Sequence, residues 1–240
     1  MKITILTAYP EMFPGSLGYS IIGKALDEKK WLLNIVNLHE FGCDERKSID
    51  DEPFGGGPGM IIKPDVIEKA LLSIGKYYEK NCKLIYLTPS GNPLKQSNLR
   101  EFLEFDELIL LCGRFEGVDQ RAIEVLNFTE ISIGDYVLAG GEIAAKVLVE
   151  GCIRLIPGVL GQPESLLEES YSNDLLEYPQ YTRPQIWKDA LNNKHGVPEV
   201  LISGHHANIN KWRKNKSIEK TNLIRPDLLK VIKQEKKEQE

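Results

Sequence analysis

Ser132-Ile133-Gly134-Asp135-Tyr136-Val137-Leu138-Ala139-Gly140-Gly141-Glu142 takes over from the short β-branched run Thr129 to Ile133 and turns it into a glycine-containing loop. Leu111-Cys112-Gly113-Arg114-Phe115-Glu116-Gly117 and Leu87-Thr88-Pro89-Ser90-Gly91 do the same: each leaves an apolar run and enters a loop with glycine. Similar runs recur at Ile3 to Thr7, Leu32 to Leu38, Lys83 to Thr88 and Glu107 to Cys112, separated by segments of helix length. Within those segments Ile67, Leu71 and Ile74, and likewise Ala122, Val125 and Leu126, fall at helical spacing. Alternation of this kind predicts an α/β domain with a mainly parallel sheet. Open parallel sheets bind ligands at the carboxyl ends of their strands. Three convergent loops there predict a pocket of backbone amides and carbonyls, suited to a hydrogen-bonding heterocycle such as adenine. Tight structural turns are the competing explanation of the same glycines.

Composition sets the outer bounds. Of 240 residues, 42% are hydrophobic and 27% charged, an ordinary globular balance rather than a disordered or fibrous one. The longest apolar stretches, such as Leu108 to Cys112, fall far short of the ~20 residues that span a bilayer. The opening Met1 to Leu6 is too short for a signal-peptide core and reads as a first buried strand, so a cytoplasmic protein is expected. Cys43, Cys82, Cys112 and Cys152 lie far apart with no Cys-x-x-Cys pair, which favours buried free thiols over a zinc site or disulfide framework. Among His39, His195, His205 and His206, the adjacent pair would point apart on a helix or strand. No structural metal is expected.

Net charge is −5, which on its face disfavours a polyanionic partner, but the charge is unevenly spread. Residues 1–160 carry 17 Lys and Arg against 23 Asp and Glu, whereas His205 to Lys237 carries 10 against 3. That basic tract is a candidate phosphate-binding surface, with a solvated helix face as the bland alternative. From about Gly161 the chain becomes polar and Pro-punctuated through Gln162-Pro163-Glu164-Ser165, Pro179 and Pro184, which reads as an interdomain linker. Beyond it a helical texture is expected over Ile186 to Leu191 and Ala207 to Ile218, with a last helix opened by Pro226-Asp227 and a frayed end over Lys230 to Glu240. The division expected is therefore 1–160, a linker over 161–178, and a helical domain over 179–240. No internal repeat is visible.

Two glycine clusters need separate treatment. Gly55-Gly56-Gly57-Pro58-Gly59 lets backbone approach a ligand closely, yet it lacks the Gly-Lys-Ser/Thr of a Walker loop and the placement of a dinucleotide fingerprint. A tight turn explains it equally well. Gly18 to Lys24 matches most of a phosphate loop but places Ala25 where a magnesium-binding hydroxyl is required, while Ile21, Ile22 and Leu26 suit an amphipathic helix.

Taken in order, Asp50 to Met60, Leu111 to Asp119, Ser132 to Glu142, Arg154-Leu155-Ile156-Pro157-Gly158-Val159-Leu160-Gly161, Tyr181-Thr182-Arg183-Pro184 and Ser203-Gly204-His205-His206-Ala207 closely resemble the successive signatures of the bacterial tRNA (guanine-N1)-methyltransferases, the TrmD family. The likeness runs from about residue 1 to Leu229, and six ordered motifs are far more specific than any one. It implies a SPOUT-type fold whose C-terminal part of the sheet domain threads a trefoil knot, an obligate homodimer with its active site at the subunit interface, and a small helical domain that grips tRNA. It also implies S-adenosylmethionine as methyl donor and magnesium dependence, although no residue forms a recognisable metal site. The implied reaction is methylation of N1 of the guanosine just 3′ of the anticodon.

Carried over residue by residue, the resemblance implies cofactor contacts from Tyr86, Leu87, Thr88, Pro89 and Gly91, from Gly113 and Glu116, and from Ile133, Gly134, Asp135, Tyr136, Val137, Leu138, Gly140 and Gly141. Gly59 and Ser165 are implied in RNA binding, and the basic tract adds Lys211, Arg213, Lys214 and Lys216; Trp212 reads as core rather than as a stacking platform. Methylating N1 requires removal of its proton and support of charge developing on O6, tasks for a carboxylate and a cation. Arg154 is the implied cation. The family's aspartate before Ser-Phe/Tyr is here Glu169, within Glu168-Glu169-Ser170-Tyr171, making Glu169 the implied base, with Glu168 or another carboxylate as an alternative. Phe115 and Gln180 also depart from the commoner Tyr and His. A base on such a linker is expected to order when tRNA arrives. Two rival readings share parts of this pattern: another SPOUT methyltransferase acting on ribosomal RNA or a ribose, and a non-catalytic RNA-binding relative.

Overall fold

The computed structural model describes residues 1–42, 44–75, 77–79, 81–161, 169–171 and 174–229. Ser165, Glu168, Cys43 and the expected frayed end from Lys230 lie outside them. The chain divides into two compact units, Met1–Gly161 and Gln162–Glu240.

In the first unit, strands β1 (Lys2–Thr7), β2 (Leu32–Asn37), β5 (Cys82–Pro93), β6 (Glu107–Cys112) and β7 (Thr129–Ser132) build one sheet in the order β2-β1-β6-β5-β7. Every pairing in it is parallel. A parallel sheet must be covered on both faces, so its strands read as continuous apolar runs rather than alternating ones. β6, at the centre, is buried at all six positions. Leu108, Leu110 and Cys112 face one core with Ile3, Ile5 and Trp31, and Ile109 and Leu111 face the other with Leu6 and Tyr86. Helices α1 (Ser20–Asp27), α3 (Gln96–Phe102) and α5 (Glu142–Ile153) cover the first face, and α2 (Pro64–Ser73) and α4 (Gln120–Val125) the second. Trp31 is fully buried, and its indole N–H donates to the carbonyl of Ile22 at 3.1 Å, so its one polar atom costs nothing in the core. A further two-residue antiparallel pair, β3 (Asp50–Asp51) with β4 (Ile61–Ile62), brackets the glycine-rich loop.

Two local features differ from the sequence reading. Val125 is 81% exposed, because α4 is short and turns Ala122 and Ile123 inward instead. The run from Ile186 is not helical: β8 (Ile186–Lys188) and β9 (Lys194–Gly196) form an antiparallel hairpin. Its turn is set by Asp189, whose carboxylate accepts from the amides of Leu191 and Asn193, and by Asn192 at φ 61°. Asn tolerates that left-handed conformation, and an Asp-initiated turn outcompetes the helix propensity of Ala190 and Leu191 between Asp and Asn residues.

The rest of the second unit is α6 (Glu199–Ile202), α7 (His206–Ile224) and a helical turn over 226–229. Two residues of the expected linker are tied to α7: the amide of Leu176 donates to Thr221 Oγ1 at 2.8 Å, and Lys220 Nζ donates to the carbonyl of Glu177 at 3.1 Å. Among the described residues no helix is long and apolar enough to cross a membrane.

Candidate active site

β6, β5 and β7 are neighbours in the sheet, so their carboxyl ends and the loops that follow converge. The β5 loop arises from a register shift: Leu87 and Asn92 both pair with Ile131, and the four residues between them are pushed out of the sheet. Gly91 ends that excursion where a Cβ would stand 2.4 Å from the backbone nitrogen of Ile131, a close approach of two backbone segments that only glycine permits. Gly141 plays the same part on the other side, its Cβ position lying 2.8 Å from Cys112 Cα while its amide donates to the carbonyl of Gly113 at 3.0 Å.

Together the loops enclose a cleft of about 320 Å³. Tyr86, Leu87, Thr88 and Pro89 form one wall, Gly113 and Glu116 the second, and Ile133, Gly134, Tyr136, Val137, Leu138, Gly140 and Gly141 the third. Of the residues singled out for the cofactor, Gly91 and Asp135 lie off these walls; Ser90, Phe115, Gly117 and Ala139 line the cleft without having been singled out. Phe115 holds φ 57°, a costly conformation for an aromatic residue, which keeps its ring 52% exposed at the cleft edge. Burial pushes the Tyr86 phenol up from its ordinary value, and its ring leaves no space for a Cβ at Gly113. Glu116 is the one charged side chain lining the cleft among the described residues.

Beneath the cleft lies a network that motif reading passed over. Arg114 Nε and Nη2 stand 3.1 and 2.9 Å from the two carboxylate oxygens of Glu142, whose side chain is 1% exposed. Thr7 Oγ1 donates to Glu142 at 2.8 Å, and the Arg114 guanidinium lies 4.2 Å over the Tyr9 ring. Arg114 also donates to the carbonyl of Ala139 at 3.3 Å. One buried carboxylate therefore joins the ends of β1 and β6 to the start of α5, and fixes both loops that flank the cleft. The available signal was a carboxylate opening a mostly apolar helix directly after a glycine loop.

Gly59 stands with Glu116: its φ is +88°, a Cβ there would fall 2.3 Å from Glu116 Cγ, and the amide of Glu116 donates to the carbonyl of Met60 at 3.0 Å. The glycine-rich loop thus borders the cleft rather than forming a remote turn, and Phe54 at its start is 99% exposed. Arg154 caps the C-terminal end of α5, half-buried, and does not line the cleft. Glu169 belongs to the second unit and is half-buried; just after it, Ser170 Oγ accepts from the amide of Glu177 at 3.0 Å and the amide of Tyr171 donates to the carbonyl of Leu175 at 2.9 Å.

On α7, Lys211 and Lys214 are exposed, Arg213 lies 4.9 Å over the Tyr178 ring, and Lys216 is bonded to Glu219 at 2.5 Å. Trp212 is half-buried with its ring centroid 6.2 Å from that of Tyr181.

The family model described as tRNA (Guanine-1)-methyltransferase TrmD matches residues 1–231. Proteins named tRNA (guanine-N(1)-)-methyltransferase match at similar strength. The one from Wolbachia pipientis subsp. Culex pipiens is 50% identical over 95% of this chain and 97% of its own length. Those from Ehrlichia canis and Rhodospirillum rubrum are 47% and 49% identical, covering 97% and 95% of this chain and 97% and 92% of their own lengths. A family model matched over residues 1–231, with relatives about half identical across more than nine-tenths of the chain, means that the chain belongs to the tRNA (guanine-N1)-methyltransferase (TrmD) family.

Proposed function

We propose that this protein transfers a methyl group from S-adenosylmethionine to N1 of the guanosine next to the anticodon of tRNA. The observation that carries the reading is the cleft itself, three glycine-bearing loops at the carboxyl ends of β5, β6 and β7 in a chain about half identical to named tRNA (guanine-N1)-methyltransferases. Its lining suits the donor. Backbone groups of 86–90, 113, 115–116, 133–134 and 136–141 line the cleft and offer hydrogen bonds to an adenine, and a wall with one carboxylate and no cation favours a positively charged sulfonium over a phosphate-bearing nucleotide. When bound, that group supplies an electrophilic methyl.

The remaining chemistry falls to side chains. Glu169 takes the N1 proton, and Arg154 stabilises the charge that this leaves on O6. Relative to an aspartate, Glu169 reaches about 1.5 Å further, and the turn that follows it, pinned through Ser170 and Tyr171, sets its backbone. Gly59 leaves the edge of the cleft open to a nucleobase beside Glu116. Lys211, Arg213, Lys214 and Lys216 on α7 supply phosphate contacts, and the second unit grips the tRNA in the cytoplasm, where magnesium acts through the RNA phosphates. A trefoil knot is supported by the close packing of backbone segments at Gly91 and Gly141, and a homodimer by Ile143 and Val147 of α5 and Val137 of the cleft loop, all apolar and 47%, 48% and 81% exposed.

Methyl transfer to a tRNA transcript carrying guanosine at this position, compared with one carrying adenosine, tests the reading. Transfer to the first alone is expected; equal transfer to both overturns it.

A further inference from the structure

The hairpin of β8 and β9 turns both faces to solvent: from Tyr181 to Gly196 every residue is exposed except the half-buried Asp189. A two-stranded ribbon with no covered face is marginal in water. This one nevertheless carries Ile186 and Trp187, each 57% exposed, and Leu191, 82% exposed.

Its interior order comes from one carboxylate. Besides the two turn amides, Asp189 accepts from Asn193 Nδ2 at 3.0 Å and stands 3.0 Å from His195 Nε2. Held in this way, the His195 ring lies 5.2 Å from that of Trp187, tilted by 32°, on the rung where the two residues face each other. The next rung sets Lys188 directly opposite Lys194. Like charges facing across an antiparallel pair are unfavourable, and an anion between or beside them relieves the repulsion.

An ordered, exposed aromatic pair next to two uncompensated ammonium groups matches a single-stranded nucleic acid, whose bases stack on aromatic faces while its phosphates take up cations. Lysine stems are long enough to carry their charges around the ribbon edge. We propose that the Trp187–His195 hairpin stacks an unpaired nucleotide of the tRNA on Trp187 and holds the flanking phosphates with Lys188 and Lys194. This contact is separate from the basic tract of α7 and rests on the function proposed above. A second protein chain is the other candidate occupant, and opposed lysines suit it less.

The test uses the full chain as wild type, W187A, W187F and K188A/K194A, with tRNA affinity measured by fluorescence anisotropy across a salt series and mass by light scattering. W187A is expected to weaken tRNA binding about tenfold without altering the salt slope, and W187F to keep most of the affinity. K188A/K194A is expected to flatten the slope of log affinity against log salt by about 1 to 2. Wild-type affinity in W187A, an unchanged slope in K188A/K194A, or a change of oligomeric mass accompanying the loss each overturns the proposal. Methyl transfer by the wild-type preparation is measured alongside, so that absence of any transfer to tRNA counts against the function itself, and intact transfer with an unaffected W187A counts against the hairpin alone.

Discussion

Glu169, the proposed base, is half-buried in a turn whose next two residues are hydrogen-bonded in place, which fixes its backbone. General bases contribute ~100- to 10,000-fold. E169Q, which keeps the shape and loses the proton acceptor, is therefore expected to lower single-turnover methyl transfer at least ~100-fold while cofactor affinity stays unchanged. Near-normal transfer would place the base elsewhere. The cysteines obey simpler physics. Burial pushes the Cys152 thiol up to about 12 and the Cys112 thiol well above its usual value. A raised thiol stays protonated until the pH approaches that value, and only the thiolate is nucleophilic. At pH 8 neither should react with iodoacetamide in the native protein, whereas both should in denaturant; native-state labelling of either, read by peptide mass spectrometry, would contradict the packing.

Among the elements, α5 bears the most weight, with Ala145, Leu148, Val149, Cys152 and Ile153 fully buried and Glu142 anchoring its first turn. Breaking a buried ion pair on one side costs ~3–5 kcal/mol, because the other charge is left without compensation. E142A should therefore lower the unfolding free energy read from urea denaturation by that order and, by freeing the loops at 113–117 and 139–141, weaken cofactor binding as well. A variant with unchanged stability would mean that the pair is not closed in solution. L148A, whose side chain does not line the cleft, is expected to cost ~2–5 kcal/mol through lost burial and the cavity left behind. The five sheet strands were legible as short runs rich in β-branched residues and leucine, most clearly in β6, which is buried at every position. The hairpin at Ile186 was not legible: exposed on both faces, it has no period-2 alternation, and its strand state depends on the turn built by Asp189. The Arg114–Glu142 pair escaped for a different reason. Its partners lie 28 residues apart, and their role is to hold loops rather than to face a ligand.

At the level of the whole molecule, the glycine-bearing loops could be read as one pocket because parallel topology sends every strand end to the same edge, and the cleft follows from that. Asp135 and Gly91 show the limit of such reading: a motif marks the loop, while the backbone path decides which of its residues reach the cleft. A net −5 conceals a basic C-terminal tract, so the prediction of phosphate contacts rests on the distribution of charge rather than its sum. All of this converges on the identity of the modified atom. The most direct measurement is nucleoside mass spectrometry of a tRNA transcript after incubation with the protein and S-adenosylmethionine. The account predicts 1-methylguanosine at the position just 3′ of the anticodon and at no other; a ribose methylation, or a different methylated base, would contradict it.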